Sequence, residues 1–148
     1  MGYTNYWSHT RTHSPRKIAA AIRPLIEHGI ARGILAGGDG TGNPNLDRGI
    51  FNGQKDLGLA HETFNPDPQA QLGFCKTARK PYDSYVKAAL YRLKGMYPNS
   101  LHIDSDGGNR DSEWDIGAWE GCPNPRDLYR EVFGEDPLPA NSVLDPNF

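Results

Sequence analysis

Gln71-Leu72-Gly73-Phe74-Cys75-Lys76-Thr77-Ala78-Arg79-Lys80-Pro81-Tyr82-Asp83 leads from an apolar run, through three cations and a hydroxyl, into an amphipathic helix. Reading Gln71 to Cys75 as a strand and Tyr82 to Met96 as a helix puts Lys76, Thr77, Arg79 and Lys80 on the joining turn. Backbone N–H groups of such a turn are expected to be free, and the positive end of the helix dipole would face the same space, as an anion site requires. In this reading Tyr82 and Asp83 start the helix, with Phe74 and Cys75 buried behind it. The plain alternative is a solvated basic turn.

Outward from this block, Val86, Ala89, Leu90, Leu93 and Met96 form one helical stripe with Lys87, Arg92 and Lys94 elsewhere, and Gly95 and Pro98 bound the element. Ser100 to Ile103 reads as a strand running into Asp104-Ser105-Asp106-Gly107-Gly108. Upstream, Tyr3 to Ser8 reads as the first strand, with Tyr6 and Trp7 on opposite faces. Ser14-Pro15 is a cap followed by proline, and the spacing of Ile18, Ala21, Ile22, Leu25, Ile26 and Ile30 predicts a helix from Pro15 to Ala31. Pro24 predicts a kink or break near Ile22. Short strands are expected at Gly33 to Ala36, at Gly49 to Asn52 with Asn52-Gly53 as a hairpin turn, and at Glu62 to Phe64. Asn124-Pro125 repeats the cap signal, and Leu128, Tyr129, Val132 and Phe133 make a short helix stopped by Gly134. The order predicts one α+β domain over residues 1–134, an antiparallel or mixed sheet with helices on one face in a ferredoxin-like order, and a Pro-rich tail at 135–148.

The chain has 148 residues, 18 acidic against 16 Lys plus Arg, and a formal net charge of −2. No global field draws it to nucleic acid or membrane, so any anion binding is local. No run approaches the roughly 20 apolar residues of a membrane span, and the expected location is the cytoplasm. Cys75 and Cys122 lack CxxC spacing and read as free thiols.

Tyr6 and Trp7 offer faces on which a nucleobase can stack. Asn52, between Phe51 and Gly53, and Glu62, beside His61, carry groups that can hold a base or ribose; His61 or Glu62 would need a tuned pKa to act as acid or base. The run Asp104 to Glu113 is a poor match to a calcium loop, because Gly108 stands where a third oxygen ligand is usual, so no metal is expected. Gly37-Gly38-Asp39-Gly40-Thr41-Gly42 lacks the GKS/T ending of a phosphate loop. No serine or cysteine nucleophile signature occurs, and no cofactor is implied.

Together, Gly2 to Trp7, Phe51-Asn52-Gly53, His61 to Phe64, Phe74 to Asp83 and Ser105-Asp106-Gly107 resemble an uncharacterised family of small bacteriophage and prophage proteins that begin with a GYT-H-YW type motif and carry an FCKTARKPYD block. Asn5 stands where that family commonly has His. The resemblance implies a phage setting, in the cytoplasm of a host cell. The leading expectation is a non-enzymatic protein that binds a phosphate-containing nucleotide, in the form of sequestering a nucleotide-derived signal of bacterial immunity. Lys76, Arg79 and Lys80 would neutralise phosphate, Thr77 would add a hydroxyl, Tyr6 or Trp7 would stack, and Asn52 and Glu62 would hold base or sugar. One alternative is a nucleotide hydrolase or phosphodiesterase using His61 and Glu62 or Asp104 and Asp106. Another is an inhibitor that binds a host protein through Trp114 and Trp119. Subunits of a homo-oligomer could share the pocket.

Overall fold

Ser14 and Pro15 start the first helix as their order predicts. The Ser14 hydroxyl accepts from the Lys17 amide at 3.3 Å, and Pro15 sits in the first turn, where no intrahelical donor is needed. The chain is described by a computed structural model over residues 3–67, 72–106 and 124–137. The helix α1 (Pro15–Ala31) ends in a Schellman turn: Gly33, at φ 71°, donates to the Ile30 carbonyl and Ile34 donates to that of Gly29. The expected break at Pro24 does not occur. Ile18, Ala19 and Ile22 before the proline and Leu25, Ile26 and Gly29 after it form one buried face, and that packing carries the helix across the missing donor.

The strand β1 (Thr4–His9) is the middle of a three-stranded sheet. On one side it pairs antiparallel with β4 (Leu72–Lys76), on the other with β5 (Leu101–Ser105). Helix α2 (Asp83–Met96) connects β4 to β5, so these two strands run parallel with β1 between them, which is the second split β-α-β half of a ferredoxin-like order. The sheet has no fourth strand among the described residues. Instead β2 (Leu35–Ala36) pairs with β3 (Asn52–Gly53) in a separate two-stranded sheet. Asn52-Gly53 is thus paired strand and not the expected hairpin turn. Glu62 to Phe64 contributes a single bridge, Phe64 to Phe51.

The Asn52 side chain explains the change. Its Nδ2 donates to the carbonyls of Gly38 and His61, and its Oδ1 accepts from the amides of Gly53 and His61, so one amide ties three segments together. A Cβ on Gly53 would meet the Leu59 carbonyl oxygen at 1.9 Å, which accounts for the glycine.

Helix α2 is buried on nearly every side, because α1, α3 (Pro125–Phe133) and the sheet all pack on it. Asn124 caps α3 by accepting from the Asp127 amide at 2.8 Å, and Gly134 closes it at φ 73°. Lys87 and Lys94, read from the sequence as lying off the apolar stripe, are both buried. Lys94 Nζ donates to the Pro98 and Leu101 carbonyls, closing the turn between α2 and β5. The result is one α+β domain with a continuous apolar core. No helix among the described residues is long and apolar enough to cross a membrane.

Alternation along the strands divides the sheet into two faces. Asn5, Trp7, His9, Cys75, Ile103 and Ser105 face the helices. Trp7 is 2% exposed and packs on Phe64 at a centroid distance of 5.1 Å, lying across Gly73, where a Cβ would come within 2.3 Å of the indole. The other face carries Tyr6, Ser8, Leu72, Phe74, Lys76, His102 and Asp104. Phe74 is therefore not buried behind the helix beside Cys75 but is 55% exposed, since adjacent residues of a strand point to opposite sides.

The acidic run beyond Asp106, Trp114, Trp119, Cys122 and the tail beyond Pro137 lie outside the described residues.

Candidate functional site

The turn between β4 and α2 is built by its own backbone and anchored from below. The Thr77 amide donates to Tyr3 O, extending the ladder by one residue, and the Lys80 amide closes a tight turn onto Thr77 O at 3.0 Å. The two central residues, Ala78 and Arg79, have φ of 53° and 58°, a left-handed pair of the kind usually reserved for Asn-Gly. Left-handed non-glycine residues are strained, and they persist where the surroundings over-determine them.

Those surroundings are a buried polar network. Asp83 Oδ1 accepts from Thr77 Oγ1 at 2.6 Å and from Asn5 Nδ2 at 2.7 Å, while Oδ2 accepts from Lys87 Nζ at 2.7 Å. Burial alone would raise the Asp83 pKa. The Lys87 ammonium and the hydrogen bonds from Lys87, Thr77 and Asn5 outweigh it, so the carboxyl titrates below its ordinary range. The Tyr3 ring lies 4.1 Å from Lys87 Nζ and 4.4 Å from the Arg79 guanidinium carbon, and its hydroxyl donates to Ser105 Oγ. Thr77, Asp83, Lys87, Asn5 and Tyr3 thus fix the turn from inside and orient Arg79 at its surface.

Most of the backbone amides expected to be free here are already taken. The amides of Lys76, Thr77, Lys80, Asp83 and Ser84 are taken by Glu62 Oε1 and by the carbonyls of Tyr3, Thr77, Lys80 and Pro81. Thr77 is 0% exposed with its hydroxyl on Asp83, so it cannot reach a ligand. Trp7 is core, and the Asn52 side chain is taken up by backbone groups at both its oxygen and its nitrogen. These three leave the expected site for the same reason: each satisfies an interior that the sequence does not reveal.

Four of the eight expected residues do converge around the end of β4. Tyr6 and Lys76 lie on the outer sheet face, Lys80 and Arg79 on the turn beyond it with Arg79 packed on the Tyr3 ring, and the register sets Tyr6 directly across from Phe74 on one side and Asp104 on the other. The next row pairs Thr4 with Lys76. Glu62 flanks this end, its carboxylate accepting from the Lys76 amide and its own amide donating to Lys76 O. His61 Nδ1 sits 2.7 Å from the same carbonyl, so His61 and Glu62 cover the outer edge of β4. Among the described residues neither the Lys76 nor the Lys80 ammonium is in an ion pair. Phe74 is the residue missed, and strict alternation from Cys75 could have found it.

Asp106 Oδ1 accepts from the Tyr6 hydroxyl and Oδ2 from the Thr4 amide. The hydrogen bond to Asp106, with burial and the charges of Asp106 and Asp104, raises the Tyr6 pKa, keeping the phenol neutral and in place. Cys75 is free, buried, and pushed up to about 12 by desolvation, far from a reactive thiolate. The glycine-rich loop folds on itself: Gly37 and Gly40 donate to loop carbonyls, and Asp39 accepts from Thr41. A separate groove of about 630 Å³ between the helices is lined by Lys17, Met96, Arg92 and Tyr129, but its Arg92 is already engaged by Glu135 and the Tyr129 hydroxyl.

Comparison of the chain with protein-family models, curated proteins and solved structures gives no match.

Proposed function

We propose that the protein binds a phosphate-containing nucleotide on the outer face of its sheet, with the base on Phe74 and Tyr6 and the phosphate at Lys76, Lys80 and Arg79. The observation that carries this reading is Phe74, 55% exposed, set directly across from Tyr6 and one row from Lys76. An exposed aromatic of that size on a strand is costly to leave in water and serves as a stacking surface, worth roughly 1 to 3 kcal/mol per base. Lys76 on the same face supplies a charge-assisted hydrogen bond to phosphate, and Lys80 and Arg79 on the turn that follows β4 add positive charge beside it.

Binding without turnover fits the surrounding groups better than hydrolysis. Asp106 is engaged by Tyr6 and Thr4, Glu62 by the Lys76 amide, and His61 contacts the Lys76 carbonyl through Nδ1. In the phage setting that the family resemblance implies, such a binder would act in the host cytoplasm by sequestering a nucleotide-derived immune signal.

Calorimetry against a panel of mono-, di- and cyclic nucleotides, followed by denaturation and chromatography of the ligand, tests this. Intact ligand is expected, with affinity lost at least tenfold in Phe74→Ala and in Lys76→Ala. Converted product would establish the hydrolase, and unchanged affinity in both variants would remove the site from this face.

A further inference from the structure

We infer that the outer face of helix α1 is a docking surface for an acidic amphipathic helix of a partner protein. This face is separate from the outer sheet face, because α1 packs into the core with Trp7, Cys75 and Ile103 on the other side of the sheet. Its exposed residues between Pro15 and Pro24 are Arg16, Lys17, Ala20 and Arg23, three cations and no carboxylate, in a chain whose net charge is −2. Among the described residues neither the Arg16 nor the Lys17 side chain has a hydrogen bond or ion pair. Both stand in the first turn, which contains no acidic residue, so they meet the positive end of the helix dipole without compensation.

A groove runs along each side of Ala20. One, of about 630 Å³, lies toward α2 and takes in Lys17, Gly95 and Met96; the other, of about 410 Å³, takes in Arg16, Arg23 and Leu46. Ala20 lines both, and with Ala21 and Gly95 it leaves room for a second helix to approach closely. Met96, 38% exposed, and Leu46 give the grooves apolar walls against which large side chains can pack.

Charge and spacing select the occupant. Arg16, Ala20 and Arg23 follow one line along α1 at i, i+4 and i+7, which sets the two arginine positions about 10 Å apart along the axis. A helix laid along this line meets them with carboxylates two turns apart and seats the apolar residues between on Ala20 and in the grooves. Arg23 pairs with Glu27, an exposed contact weak enough to be exchanged. Nucleic acid fits this face less well. Asp47 lines one groove and Glu135 the other, so a phosphate backbone charged every few ångströms meets carboxylates as well as cations, whereas a helix carries charge only at chosen positions.

The test measures fluorescence anisotropy of labelled synthetic helical peptides titrated with the full chain. One peptide carries two glutamates two turns apart with leucines between them, a second has lysines in place of the glutamates, and a duplex DNA oligonucleotide is the third probe. The acidic peptide is expected to bind, more weakly as salt rises, and the lysine peptide not to bind. The double reversal Arg16→Glu with Lys17→Glu is expected to weaken the acidic peptide roughly tenfold or more while raising the thermal midpoint, because carboxylates suit the first turn. Ala20→Trp, at an exposed position, is expected to abolish binding by filling the line of approach. No binding of the acidic peptide, equal binding of both peptides, affinity unchanged in either variant, or binding of the oligonucleotide alone overturns the proposal. The nucleotide site on the outer sheet face is judged by its own experiment.

Discussion

Lys87 and Asp83 form an ion pair in which both side chains are 0% exposed, Nζ to Oδ2 at 2.7 Å, one helical turn apart beneath the basic turn. A buried pair contributes little net stability against an apolar replacement, but losing one partner strands the other charge, at about 3 to 5 kcal/mol. Lys87→Met and Asp83→Leu are each expected to lower stability by that order in urea denaturation, and the double variant to recover part of the loss. The depressed Asp83 carboxyl also sets a pH response. Its contribution is complete above the ordinary carboxylate range and is lost as pH falls through that range to the depressed value. A urea midpoint that falls with acid in the native protein should fall less steeply in Asp83→Asn.

Gly73 lies under the Trp7 indole, and a Cβ there would approach the ring to 2.3 Å. Gly73→Ala is expected to lose about 1 to 3 kcal/mol through overpacking and to shift the tryptophan emission. Gly95, exposed near the end of α2, is the control, because a Cβ added there would meet nothing within 4 Å. Gly95→Ala should gain about 0.5 to 1 kcal/mol from helix propensity.

Ala78 and Arg79 share the left-handed strain of the turn, and only Arg79 is assigned to a ligand. Ala78→Gly is expected to stabilise the protein by about 1 kcal/mol in thermal or urea unfolding and to leave nucleotide affinity within about twofold. Arg79→Gly should relieve similar strain while weakening binding, which would separate the conformational role of the turn from its charge.

His9 and His13 are buried with their Nδ1 atoms 2.9 Å apart, and His13 Nε2 is 2.7 Å from Ser100 Oγ. Desolvation, with the charge of His13, brings the His9 pKa down to about 4 from 6.5. Between those values the unfolded chain binds more protons than the native protein, so stability present above pH 6.5 is lost as pH falls toward 4. Each pKa unit corresponds to about 1.4 kcal/mol, so the slope is measurable, and His9→Gln should flatten it.

Signals carried by adjacent residues are readable without a fold. Ser14-Pro15 starts α1, and Asn124-Pro125 and Gly134 start and stop α3, where expected, because a helix cap is a contact between residues a few positions apart. The basic block is likewise legible as a turn between strand and helix. Its interior is not, since Asn5, Thr77, Asp83 and Lys87 become partners only when β1 and α2 are packed together.

The separation is clearest across β1 and β4. Alternation in the sequence alone sends Tyr6 and Trp7 to opposite sides and sends Phe74 and Lys76 away from Cys75, because successive side chains of a strand must diverge. Which side becomes core, and that Phe74 meets Tyr6 while Tyr6 meets Asp104, follows only from the register of three strands distant in the chain. That register is chosen by burial of Trp7, Cys75 and Ile103 against the helices, a many-body packing energy that no local stretch of residues contains.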